Sequence, residues 1–266
     1  MLEHGSEDFR VKTKWLVIAA TAISCVPMVA SAEMSEFSLG AIASYSPRVY
    51  KDTPSNKTVF PMVGYEGEHF FIRGLGAGYR LFPLGGREGG AFRQNIVFRL
   101  KYDPRTLKPS DSTDPQIQQL DERKTSIFGG VGYQLITPVG LFELAGMTDT
   151  LGRSNGSYAQ LSWKVPLMFK NWGIIPSAGY TYDDSKLNNY LYGVSAAESA
   201  RSGIREFNAG ADGSYFITLQ SYLDITKRVR VTASVTYRNL EGDIEKSPII
   251  ESGVNTTTAL GVSYVF

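Results

Sequence analysis

From residue 36 onward the chain alternates apolar and polar side chains with a period of two, segment after segment. Glu36 to Ser46 sets Phe37, Leu39, Ala41, Ala43 and Tyr45 against Glu36, Ser38, Gly40, Ile42 and Ser44. Phe92 to Tyr102, Ser157 to Phe169, Val229 to Arg238 and Thr257 to Phe266 repeat the pattern. A period of two sends successive side chains to opposite faces, so each segment predicts a strand between two different environments. Ser126–Ile136 and Leu141–Thr148 read as a hairpin around Thr137-Pro138-Val139-Gly140. Ile174–Asp183 follows the turn Lys170-Asn171-Trp172-Gly173, and Glu206–Thr226 reads as one long strand. Val59–Tyr65 is a weaker strand, with Glu66-Gly67-Glu68 as its turn. Pro47–Lys57, the glycine-rich Pro83–Gly90, Asp103–Lys124, Asp149–Gly156, Asp184–Arg205 and Asn239–Asn255 read as loops or turns.

One stretch breaks parity. In HFFIRGLGAGYRLF (69–82), Phe70 and Ile72 fall on one face but Leu75, Ala77, Tyr79 and Leu81 on the other. A continuous strand would put Arg73 on the apolar face, at a cost of about 2–4 kcal/mol if that face met lipid. The pattern predicts a break at Arg73-Gly74, by a hairpin or by a bulge.

A soluble sandwich shows the same alternation, so two further features decide the class. The non-apolar face carries charge repeatedly, at Arg93, Arg99, Lys101, Lys164, Arg230 and Arg238, as a wet lumen requires. Connections also alternate short and long: TPVG, KNWG and TKRV against the longer Asp103–Lys124, Asp184–Arg205 and Asn239–Asn255. Outer-membrane barrels have that asymmetry, which places the long loops outside the cell. The expected fold is all-β: a transmembrane, antiparallel, up-and-down β-barrel of about 12 strands by the even-number rule, or 10 if the early segments do not span. The closing segment fits, because Leu260, Val262, Tyr264 and Phe266 share one face. Its terminal aromatic resembles the signal read by the barrel-assembly machinery. No stretch after Ala32 is apolar enough for a membrane helix, so a closed barrel is the way this chain would satisfy its backbone in lipid.

Residues 1–32 read as a cleaved signal peptide, with residues 33–266 as the barrel. Arg10, Lys12 and Lys14 form a basic region, Trp15–Ala30 an apolar run short of the ~20 residues of a membrane helix, and Ala30-Ser31-Ala32 a cleavage site before Glu33. The single cysteine, Cys25, lies inside that run, where Ala22 argues against lipidation. The mature chain then holds neither a disulfide framework nor a thiolate site. The whole chain has 27 basic and 26 acidic residues. That balance, without a basic patch, argues against nucleic acid as a partner.

Candidate chemistry is sparse. One of the two histidines, His4, leaves with the signal peptide, so any general-base catalysis would have to be built on His69. The expected environment of His69 is a solvated turn. The carboxylate pairs Asp183-Asp184, Asp111/Asp114 and Asp121/Glu122 have oxygen ligands for Ca²⁺, yet loop carboxylates are usually just solvated. Tyr180, Tyr182, Tyr190 and Tyr192 could form an outer binding patch or belong in part to an interfacial girdle. Gly129-Gly130-x-Gly132 lies inside a strand and is no phosphate loop. It reads as lumen space or a bend. The expectation is no catalytic, cofactor or metal residue and no cofactor.

Several patches together resemble one family. They are GYEGEHFFIRGLGAGYRLF (64–82), DERKTSIFGGVGYQL (121–135), TDTLGRSNGSYAQLSW (148–163), NWGIIPSAGYTYDDSKLNNYLYGV (171–194), SPII (247–250) and the terminal GVSYVF. In this order they resemble the MipA/OmpV family of outer-membrane proteins, with Leu191 standing where a third consecutive tyrosine is expected. The resemblance implies an outer-membrane scaffold that brings a lytic transglycosylase, a peptidoglycan hydrolase, together with a peptidoglycan (murein) synthase. The alternative is a narrow pore or transport barrel, whose lumen, lined by the six basic residues named above, would favour anions.

Overall fold

The computed structural model describes residues 36–82 and 92–266. The signal-peptide segment and the glycine-rich turn at 83–90 lie outside the described residues. Thirteen strand segments form a single antiparallel sheet. They are β1 (Glu36–Ser46), β2 (Asn56–Glu66), β3 (Phe70–Arg73), β4 (Gly76–Arg80), β5 (Arg93–Asp103), β6 (Ser126–Thr137), β7 (Gly140–Asp149), β8 (Ser157–Lys164), β9 (Leu167–Met168), β10 (Trp172–Asp183), β11 (Asp212–Asp224), β12 (Val229–Leu240) and β13 (Val254–Val265). Segments β8 and β9 both pair with β10 and make one strand interrupted at Val165-Pro166. Twelve strands result, and β13 returns to β1 through pairs from Ser38↔Val265 to Tyr45↔Thr258. The barrel is closed, which leaves no free edge where strands pair along their full length.

The alternation maps onto the two faces. Leu144, Leu161 and Ile217 are 56% exposed and Leu260 59%, an outward apolar band that only lipid can satisfy. Aromatic pairs rim it at the end of the short turns: Phe169 stacks on Trp172 at 4.0 Å, and Phe37 meets Phe266 at 5.5 Å. Tyr45, Tyr180 and Tyr182 are outward at the long-loop end. No helix among the described residues is long and apolar enough to cross a membrane.

The break at Arg73-Gly74 is a hairpin. Gly74 takes φ 56°, and β3 and β4 are only four and five residues long. Four assignments from the alternation need correction. Strand β2 runs through Glu66, so the turn is at Gly67–His69. The segment 157–169 is interrupted by Pro166, whose missing N–H breaks the ladder. The strand expected from Glu206 starts at Asp212. The region Asp184–Arg205 holds two helices, α1 (Ser185–Tyr192) and α2 (Ala196–Ser202).

These helices belong to a lid. The loops 47–55, 104–125, 184–211 and 241–253 fold together over the long-loop end and share one apolar core. Tyr50, Leu107, Ile117, Leu191, Val194, Ile244 and Ile249 are all buried there, and the core continues into the barrel wall at Phe128 and Met147. Tyr50 donates to the Leu191 carbonyl at 2.9 Å, and Ser247 to the Tyr192 carbonyl at 2.6 Å. The molecule's main hydrophobic cluster therefore sits across the mouth of the barrel.

Candidate functional site

Below the lid, several strands turn charged groups inward at alternate residues, and these meet one another. Nearest the short-turn end, Glu66 sits between two arginines. Arg73 donates Nε and Nη2 to its two oxygens at 2.8 and 2.7 Å, and Arg80 forms a second ion pair with it. The ring of Phe71 lies under both guanidinium groups, at 4.1 and 4.4 Å. That geometry needs Gly78, since a Cβ there would come within 2.4 Å of the Phe71 ring. The short hairpin thus turns Arg73 away from lipid and onto a carboxylate.

Halfway along the wall, Glu143 is the hub. Arg99 Nη2 donates to it at 2.7 Å, Gln134 Nε2 at 2.7 Å, and Lys164 Nζ lies 3.8 Å away. Arg230 pairs with Asp224 and lies over the Tyr222 ring at 5.0 Å. Toward the lid, Arg105 joins Asp103 at 2.8 Å and Asp183 at 3.2 Å. Arg105 lies in the loop after β5, and although burial works against its charge, Asp103 and Asp183 hold it protonated well above the usual arginine range. Arg238 donates to Ser214 Oγ at 2.6 Å and lies 5.2 Å over Phe216. Arg93 also has a partner. Lys101 faces inward with Arg99 and has no ion pair or hydrogen bond among the described residues. The six basic residues predicted for the lumen therefore do not form a free cationic lining. Glu143 neutralises Arg99 and Lys164, and Asp224 neutralises Arg230, while Glu66, in a segment that reads as a turn, pairs with Arg73 and Arg80.

The other candidates separate. His69 donates its Nδ1–H to the Arg80 carbonyl at 2.7 Å and stacks on Tyr79 at 5.3 Å, so it is held rather than solvated. Asp184 caps α1 through the Leu187 N–H at 2.8 Å. Asp121 pairs with Arg201 at 2.6 Å. Among the described residues no three His, Cys, Asp or Glu side chains gather as a metal site. Tyr180 and Tyr182 face outward while Tyr192 is buried in the lid, so the four tyrosines form no patch. Gly130 allows a close strand approach: a Cβ there would meet the Gly146 carbonyl at 2.0 Å. Leu260, Val262 and Tyr264 point outward on β13, and Phe266 just after it is exposed as well.

The lid is fixed by its own polar contacts. Arg123 reaches Glu198 at 2.7 Å and the Gly193 carbonyl at 3.2 Å. A capping box joins Ser195 and Glu198 at the start of α2, and Gly203 closes that helix at φ 73°. Beside these groups Asp121, Tyr190, Glu206, Phe207 and Asn208 line a crevice of about 350 Å³.

The family described as MltA-interacting protein MipA matches residues 39–266. The chain is 29% identical over 245 residues to the outer membrane protein YiaT of Escherichia coli (strain K12), covering 92% of this chain and 97% of that one. It is 30% identical over 238 residues to the MltA-interacting protein of the same organism, covering 90% and 93%. Among solved structures, an outer membrane channel from Pseudomonas putida F1 aligns over 91% of this chain and 100% of its own, with a TM-score of 0.44 and 9% identity.

Proposed function

The chain belongs to the MltA-interacting protein (MipA) family of outer-membrane proteins, and from that premise we propose that it is a closed-lumen scaffold acting on the cell-wall machinery. Its place is the outer membrane, in contact with lipid through the outward apolar band. The observation that supports a scaffold over a pore is the interior. Each tier of the lumen is spanned by ion pairs, and the long loops bury an apolar core across the mouth. A barrel filled this way has its binding chemistry on its surfaces. The partners that fit the relative's name are a peptidoglycan hydrolase and a synthase, reached from the short-turn end in the periplasm. Insertion would use the barrel-assembly machinery through Leu260, Val262, Tyr264 and Phe266.

In this reading the lid faces the cell exterior. Tags inserted at Ser112 and Ser199 should be labelled on intact cells, and labelling at Lys170-Asn171 in their place would invert the orientation. Mild crosslinking in cells should recover a lytic transglycosylase together with a peptidoglycan synthase. Recovery of neither, from cells where both are present, would remove the scaffold reading. Catalysis is no part of the proposal: His69 Nδ1 is engaged by the Arg80 carbonyl, a structural contact rather than a nucleophile. A His69→Ala variant should retain whatever activity a purified preparation shows. Hydrolysis of lipid or peptide that disappears in that variant would contradict this.

A further inference from the structure

The barrel wall has a gap between β2 and β5, above the short hairpin. Strand β2 is eleven residues long, but only Gly64–Glu66 pair with β3. Above them Val63 still accepts a hydrogen bond from Gly74 N at 3.1 Å, at the tip of the short hairpin. Backbone groups of one residue in an antiparallel strand point to the same side, and the side alternates. Pro61, Val59 and Lys57 therefore turn their backbone toward the missing neighbour, and none of these groups has a backbone partner among the described residues. Pro61 has no N–H to lose there, which is where a proline is tolerated.

The gap is framed on all sides. Leu75 accepts from Tyr102 N at 2.9 Å, closing the side of β5, and Thr113 N donates to the Asp52 carbonyl at 3.0 Å, closing the top through the lid. Across it the rings of Phe60 and Tyr102 meet edge-on at 6.5 Å. Outside lie Val59, 69% exposed, and Leu75, 37% exposed. Val59 and Pro61 pair with Ala43 and Ala41 of β1, within the lipid-facing band below Tyr45. Inside, on β5 beside the hairpin, is Lys101, which pairs in register with Gly76. It is exposed although it points inward; Asp103, two residues on along the same face, acts on it but is engaged by Arg105, and among the described residues no carboxylate lies within ion-pair distance of Lys101 and none hydrogen-bonds it.

An unpaired strand edge in hydrocarbon costs several kcal/mol per group, so lipid tails alone do not satisfy this window. A polar headgroup does. We propose that the window is a lateral binding site for an anionic phospholipid, with its phosphate accepting from Lys101 Nζ and the Val59 N–H, its headgroup hydroxyls donating to the open carbonyls of Val59 and Pro61, and its acyl chains along Val59, Pro61 and Leu75. The closed lumen below makes this a site of occupancy rather than passage.

The test uses the full barrel purified in detergent, offered phosphatidylglycerol or phosphatidylcholine of equal chain length, with retained lipid counted by native mass spectrometry. Phosphatidylglycerol should be retained about tenfold more strongly than the zwitterionic lipid, the scale of one charge-assisted contact. Lys101→Met should abolish that preference and Lys101→Arg should keep it. Unboiled-gel mobility checks that both variants are folded. Equal retention of the two lipids, or an unchanged preference in a folded Lys101→Met barrel, would overturn the proposal. Displacement of phosphatidylglycerol by millimolar inorganic phosphate would also overturn it, in favour of a free-anion site. None of these outcomes depends on whether a peptidoglycan enzyme binds elsewhere.

Discussion

Glu143 shows what single residues do here. It is a buried carboxylate that holds Arg99, Gln134 and Lys164 in one contact set. Removing one partner of a buried ion pair leaves the others uncompensated, at about 3–5 kcal/mol. Glu143→Ala should lower the barrel's resistance to urea by that amount, and a change under 1 kcal/mol would mean water already screens the site. Glu198 does a comparable job in the lid. Burial raises its pKa, but the backbone N–H groups of Ser195 and Asp121 and the Arg123 guanidinium outweigh this and hold it below the usual glutamate value. A depressed carboxylate contributes stability above its unfolded pKa and loses it as pH falls through the folded one. Hydrogen exchange across residues 185–204 should therefore stay slow down to about pH 4, the ordinary glutamate range, and accelerate only below it. Acceleration beginning near neutrality would contradict this role.

At the scale of elements, the lid helices are the most instructive. Ser195→Ala removes the cap of α2 and should cost the lid about 1 kcal/mol, while Leu191→Ala empties a site only 2% exposed and should cost about 2–5 kcal/mol. Both losses should appear as faster lid exchange with the strands unchanged. If the strands open with the lid, the two are one cooperative unit. The signals for these helices were present in the chain: Leu187 and Leu191 four apart, Ser195 and Glu198 in capping spacing, Gly203 after the last turn. Asp184–Arg205 reads as a loop with tyrosines in it, and the strand expected from Glu206 begins six residues too early, where Phe207 bridges to Val194 in the lid. The twelve strands were legible because two-sided burial enforces alternation along each of them. The ion-pair tiers were not, because Glu66 with Arg80 and Arg99 with Glu143 are brought together by the pairing register across neighbouring strands, which single segments do not encode.

At the scale of the whole molecule, a twelve-stranded barrel is wider than the eight-stranded ones that side chains fill and narrower than open porins. This chain resolves the intermediate case by folding its long loops into an apolar lid and pairing its lumen charges. In the proposed reading family membership fits that construction, since a closed barrel would act by what its surfaces hold. Recording from single barrels in planar lipid bilayers tests this closure most directly. The account predicts silence at moderate voltage for the folded, heat-modifiable protein, with brief openings appearing only when Leu191→Ala loosens the lid. Steady, anion-selective steps from the unmodified protein would contradict it and return the lumen to the role of a pore.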